Sequence, residues 1–187
     1  MVKRISVFIV LGLLLLAACT GGGGKVTIKP FIGGTEGLKI EFDKNAPPAQ
    51  VYDGSDFPFD IIVKLTNKGE NLVTKDKVSV KITGIRPQEF HVTEADLIKS
   101  PTDDIIQRAI DSSGKTMESG DVFVEFNNLN HFDYITGSAL TFPIRAEVCY
   151  GYSTKGASSL CVRKNLANPE DKGICTLSGS RPLSTSG

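Results

Sequence analysis

Residues able to do chemistry are sparse in this chain of 187 residues, which carries two histidines, four cysteines and no tryptophan. His91 follows Phe90 close to Pro87, and His131 ends the polar stretch Asn127-Asn128-Leu129-Asn130. Either imidazole could act as a general base, but neither has a nucleophile motif beside it. Gly151-Tyr152-Ser153-Thr154-Lys155-Gly156 is not Gly-x-Ser-x-Gly, and it follows a strand pattern without opening a helix. Both histidines therefore read as solvated loop residues. Three cysteines, Cys149, Cys161 and Cys175, could in principle join a histidine around zinc, but spacings of twelve and fourteen residues lack the close cysteine pairs that zinc sites favour. Asp53, Ser55, Asp56 and Asp60 cluster near a turn, with Glu41 and Asp43 a little upstream. Oxygen-rich loops can hold calcium, yet Asp53-Gly54-Ser55-Asp56 lacks the spacing of a dedicated loop, and turn chemistry accounts for it equally well. Nothing in the pattern builds a cleft with two carboxylates placed for glycoside cleavage. The expectation is a non-catalytic chain with no metal and no cofactor; the rival is a hydrolase or ligand-binding protein using the acidic loop from Asp53 to Asp60.

Composition bounds the partners. Apolar residues make up 40% and charged residues 22%, enough hydrophobe to build a core and too little net charge for disorder. Basic and acidic residues balance at 21 each; without Lys3 and Arg4 the count is 19 against 21, a net charge of −2. With no basic cluster, binding to a phosphate backbone is excluded as an expectation.

The first 18 residues read MVKRISVFIVLGLLLLAA. Lys3 and Arg4 precede an apolar run from Ile5 to Leu16, and Ala17 and Ala18 are small, which is the layout of a secretory signal. The run is shorter than the ~20 apolar residues a spanning helix needs. Leu16-Ala17-Ala18-Cys19 resembles the bacterial and archaeal lipobox at all four positions. That resemblance implies cleavage before Cys19, acylation of its thiol, attachment to a membrane through the lipid, and an extracytoplasmic place in the cell envelope. Gly21 to Gly24 follow and cannot form a stable element, because glycine loses the most backbone entropy on ordering. They read as a tether; no strand precedes them and no Gly-Lys-Ser/Thr follows, so they are not a phosphate loop.

With Cys19 committed to lipid by that resemblance, three cysteines remain where disulfides form. An odd number cannot all pair internally. Cys149 and Cys161 lie symmetrically about Lys155, and a hairpin turning there would place them opposite one another, on the face away from Val148 and Tyr150. Such a bridge would contribute about 3 kcal/mol in the chain-entropy model. A bridge from either of them to Cys175 is the alternative, and both stay open.

The scaffold is legible as alternation. Leu38, Ile40 and Phe42 share a face; so do Phe59, Ile61, Val63 and Leu65, then Val78, Val80 and Ile82, then Val122, Val124 and Phe126. Lys25 to Pro30 reads as a short strand or linker. Thr66 to Glu70 reads as a turn in which Gly69 supplies a positive φ. Leu140 to Tyr152 reads as one long strand, with Ser158 to Arg163 pairing back across the turn from Ser153 to Ala157. Ser100 to Ile110 reads as a single short helix, with Ser100 as N-cap, Pro101 at its first position, Asp103 and Asp104 at the positive end of its dipole, and Ile105, Ile106, Ala109 and Ile110 on one face. Short alternating strands with one helix predict an antiparallel β-sandwich. Phe123, Phe132 and Tyr134 are candidates for exposed contact aromatics.

FPFDIIVKLTNKGE, residues 57–70, resembles the B strand and following turn of immunoglobulin-like modules related to the CARDB (cell-adhesion-related) domains, whose strand ends in Asn-x-Gly, here Asn67-Lys68-Gly69. GTEGL at 34–38, NAPP at 45–48 and the Cys-Tyr-x-Tyr-x-Thr hairpin at 149–154 resemble stretches that recur in archaeal surface lipoproteins. The resemblance implies an immunoglobulin-like fold and a surface location, and no chemistry. Lipobox, tether, strand pattern and the empty catalytic inventory together lead to the expectation of a structural or protein-binding role with an envelope or surface protein as partner. Such proteins continue into more structured chain beyond the third cysteine, so the polar end from Ser178 to Gly187 reads as a truncated, disordered tail. The expected organisation is a signal at 1–18, lipidated Cys19 and tether over 19–33, the sandwich over 34–176 and the tail over 177–187.

Overall fold

The computed structural model describes residues 29–160, 162 and 179–186. The expected signal, Cys19, the expected glycine tether, most of Lys25 to Pro30, Cys161 and Cys175 lie outside the described residues. Among the described residues ten strands run in chain order: β1 Leu38–Phe42, β2 Phe59–Asn67, β3 Val78–Thr83, β4 Ile98–Lys99, β5 Ala109–Ile110, β6 Thr116–Met117, β7 Asp121–Leu129, β8 Arg145–Tyr150, β9 Gly156–Ala157 and β10 Ser184–Thr185. Two three-stranded antiparallel sheets, ordered β1-β2-β7 and β4-β3-β8, form the body. The protein is mainly β, its architecture consistent with a β-sandwich. The sole helical pieces among the described residues are two 3-10 turns, Lys75–Lys77 and Pro87–Phe90, and no helix is long and apolar enough to cross a membrane.

Alternation sets the register because a one-residue slip would turn every apolar side chain outward. Ile61, Val63 and Leu65 of β2 face Val78, Val80 and Ile82 of β3 in one buried core with Val124, Phe126, Phe90, Leu97 and Ile105. The inward residues of β8, Ala146, Val148 and Tyr150, cover it from the side. Fully burying one such aliphatic side chain contributes about 1.5–3 kcal/mol, so this cluster is the main source of stability. The Tyr150 hydroxyl accepts a hydrogen bond from the Leu38 N–H at 3.2 Å and ties the two sheets together.

Several expectations are corrected. Residues 100–110 form no helix. Ile105 instead exchanges backbone hydrogen bonds with Val73 at 2.9 and 3.2 Å, its carbonyl also accepts from the Asn67 side chain at 3.1 Å, and Arg108 N–H donates to the Gly69 carbonyl at 3.0 Å. Long-range pairing takes the backbone groups a helix would have used, and tertiary context overrides the weak local preference. Ile105 is fully buried while Ile106 is 57% exposed, so the apolar face read for a helix splits. Gly69 does not adopt a positive φ; the Asn67 side chain shapes that corner instead, accepting from the Gly69 N–H at 2.9 Å.

The long strand expected from Leu140 is shorter. Pro143 has no N–H for a ladder, and Ile144 donates back to the Phe142 carbonyl at 3.1 Å, so strand geometry begins at Arg145. The hairpin expected after it does not form among the described residues. β8 pairs with β3, with Cys149 opposite Ser79, and Leu160 is 87% exposed. β9 pairs with β10 instead, and Lys155 and Ser186 exchange bonds in both directions: the Ser186 N–H donates to the Lys155 carbonyl, and the Lys155 N–H donates to the Ser186 hydroxyl. Residues 184–186, read as disordered tail, are thus ordered against the chain, and Ser186 is buried.

Candidate functional site

One end of the sandwich is organised by a single irregularity in β7. Phe59 pairs with Leu129 and Ile61 with Phe126, so β7 carries one extra residue between them. Asn128 absorbs it at φ 60°, a conformation asparagine tolerates better than most residues. Its N–H is held by the Asp60 carboxylate at 2.9 Å. The bulge reverses the inward phase, burying Leu129 after Phe126 and carrying Asn130 and His131 under cover, at 8% and 5% exposure.

Loop 53–57 closes over this segment. Ser55 N–H donates to the His131 carbonyl at 3.1 Å, the Asn130 side-chain amide donates to the Ser55 carbonyl, and the Ile135 N–H donates to Asp53 Oδ2 at 2.9 Å. Gly54 sits at φ 78°, with the Tyr134 ring so close that a Cβ would meet it at 2.8 Å.

The opposite wall is the turn Pro87–Phe90. Phe90 is buried, and the Glu89 carbonyl accepts the Phe132 N–H at 3.0 Å. The Glu89 carboxylate therefore stands next to His131, with Oε2 3.8 Å from Nε2, while Oε1 is held by Arg86 Nη1 at 2.9 Å. The imidazole packs against Phe90 edge-on, with centroids 5.3 Å apart, and against Phe142 at 5.7 Å. Both ring nitrogens, Glu89 Oε2 and Asn130 Oδ1 are buried without a hydrogen-bond partner. Above them lies an open cleft of about 230 Å³ lined by Glu89, His131, Asp133, Tyr134, Ile135, Thr136, Ala139 and Leu140.

His131 is therefore not the solvated loop histidine expected; the bulge buries it. Glu89 was not foreseen at all, and its only signal is the Arg86/Glu89 pair three residues apart beside the anchor Phe90. His91 is exposed, as expected, and stacks on Phe132 at 3.9 Å. The acidic loop does not converge. Asp53 and Asp60 each hold a backbone N–H, Asp56 is exposed, and Glu41 is engaged by Lys39 and Lys64 at 2.9 and 3.1 Å. Those two lysines lower the pKa of Glu41, chiefly through their hydrogen bonds. Among the described residues no group of three histidine, cysteine, aspartate or glutamate side chains is placed to hold a metal ion. Neither nitrogen of His131 is hydrogen-bonded to a hydroxyl or thiol, so the activated-nucleophile contact is not formed.

Cys149 is exposed on the outer face of β8 and pairs with no cysteine among the described residues; Cys161 and Cys175 lie outside them. Phe123, Phe132 and Tyr134 are exposed by 43%, 36% and 81%. Tyr134, which lines the cleft, stands against Gly54 in the loop flanked by the ring pair Tyr52–Phe57, 5.1 Å apart. The chain matches no family model, no curated protein and no solved structure.

Proposed function

We propose that this chain is a membrane-anchored, extracytoplasmic lipoprotein whose immunoglobulin-like domain is a non-catalytic structural or protein-binding module of the cell surface. The observation that carries the reading is Leu16-Ala17-Ala18-Cys19 at the end of an apolar run headed by Lys3 and Arg4. The immunoglobulin-like part draws support from strand order. In such sandwiches strands A, B and E are neighbours in one sheet, and C and F in the other, where an added C′ lies beside C. Here β1-β2-β7 and β4-β3-β8 fit that order, and the sequence neighbours β2 and β3 lie in different sheets.

Strand addition is the physically natural binding mode for such a module, and β8 is the last strand of its sheet among the described residues, the position at which a sheet takes an added strand. The alternative, a hydrolase or ligand-binding protein using Asp53 to Asp60, gains no support from carboxylates spent on holding loops. Cys19→Ala tests the proposal. The wild-type chain should fractionate with membranes and be cut by protease added to intact cells, and the variant should leave the membrane fraction. An uncut, protease-protected wild-type chain in the cytosol would overturn it.

A further inference from the structure

We infer that the cleft between the Pro87–Phe90 turn and the 131–140 loop binds a primary ammonium group, as borne by a lysine side chain or a small alkylamine. Three observations converge. The wall atoms left without partners are Glu89 Oε2 and the two nitrogens of His131, all buried, and a native fold rarely leaves such groups unmatched without a reason. A carboxylate is acceptor-only and a neutral imidazole offers one acceptor nitrogen, whereas an ammonium is donor-only, with three N–H groups to supply. The lining then favours one sign of charge: it holds the carboxylates of Glu89 and Asp133 and no lysine or arginine; Arg86, outside it, engages Glu89 Oε1 at 2.9 Å and offsets part of that charge, leaving Oε2 without a hydrogen-bond partner. An anionic ligand would meet the Asp133 carboxylate and Glu89 Oε2, whereas a cation is attracted by both.

Size and rim agree. About 230 Å³ admits an alkylammonium arm, and the apolar Ile135, Ala139 and Leu140 can flank its methylenes while Tyr134 offers a ring face to the charge. A metal ion is the poorer occupant, since among the described residues no third ligand joins Glu89 and His131. The unpartnered atoms are themselves shielded, so the ammonium must displace their cover as it enters, and weak affinity is expected. The cleft lies wholly at this end of the sandwich, and its preference for a cation is the same whether or not Cys19 is acylated.

The test is imidazole NMR on the full-length chain titrated with n-butylamine hydrochloride at neutral pH. The two histidines give two ring signals, and His91, stacked on Phe132, is the internal reference. The His131 signal should shift saturably, n-butanol should leave it in place, and Glu89→Gln should weaken binding about tenfold with its melting temperature kept near that of the wild-type chain. Asp133→Asn should weaken it less. A lysine-bearing peptide binding more tightly than n-butylamine would assign the site to a protein partner, and equal binding to a free amine; either supports the ammonium. No saturable shift, an equal shift with n-butanol, binding unaltered by both variants, or a response to zinc chloride alone would overturn it.

Discussion

His131 Nε2 stands 3.8 Å from Glu89 Oε2 in a pocket of phenylalanine rings, close enough for attraction and too far for a hydrogen bond. Neither side chain is otherwise satisfied at those atoms, so the pair adds little to the stability of the fold. Burying polar atoms without partners is costly, and replacing them by apolar ones of similar shape is near neutral or stabilising. His131→Leu combined with Glu89→Met, which removes both unmatched groups, should therefore leave unfolding free energy unchanged or raise it by about 1 kcal/mol, read from urea denaturation. A loss above about 2 kcal/mol would show that the pair holds the fold together.

Gly84 sits at φ 92°, where a Cβ would overlap the Pro143 carbonyl oxygen. That close approach aligns the start of β8 against the end of β3, where Thr83 pairs with Arg145. Backbone strain and a clash with backbone atoms both oppose Gly84→Ala, and a loss of about 2–4 kcal/mol in chemical denaturation is expected. Gly120 has open space where a Cβ would stand, with nothing within 4 Å, and a φ outside the left-handed range, so Gly120→Ala should be nearly silent.

Asp111 organises the loop between β5 and β6. Its Oδ1 accepts the Ser113 hydroxyl at 2.6 Å and the N–H groups of Ser113 and Lys115 at 2.9 Å. The Ser113 hydroxyl is the leading cause that lowers its pKa below the ordinary 3.8, and the Lys115 N–H adds to it. A carboxylate with a depressed folded-state pKa stabilises the fold above its unfolded value and loses that contribution as pH falls through the folded one. Stability should therefore drop as pH falls below about 4, and Asp111→Asn should flatten that drop while costing stability at neutral pH. A pH profile from thermal melts that is unchanged in the variant would contradict this.

Most of the framework was legible, and what failed did so for a local reason. β2, β3 and β7 alternate against a buried face, so period two marks them directly. Ser100 to Ile110 carried good helix-start chemistry, but no local signal reveals that Val73 and Asn67 claim its backbone. The bulge at Asn128 was equally hidden, since it is defined by the partner strand β2, and with it went the burial of His131 and the pairing with Glu89. The corrected segment is checkable. Ile105→Ala should lose about 2–5 kcal/mol, whereas Ile106→Ala, on the solvent side, should change stability by less than about 0.5 kcal/mol. Similar losses at both sites would restore the helix reading.

The surface assignment stands on the thiol of Cys19, and intact mass analysis of the amino-terminal peptide of the membrane-extracted protein addresses it directly. The account predicts a peptide beginning at Cys19, heavier than its sequence by a lipid adduct on that residue. A peptide beginning at Met1, or one beginning at Cys19 with no added mass, would contradict it.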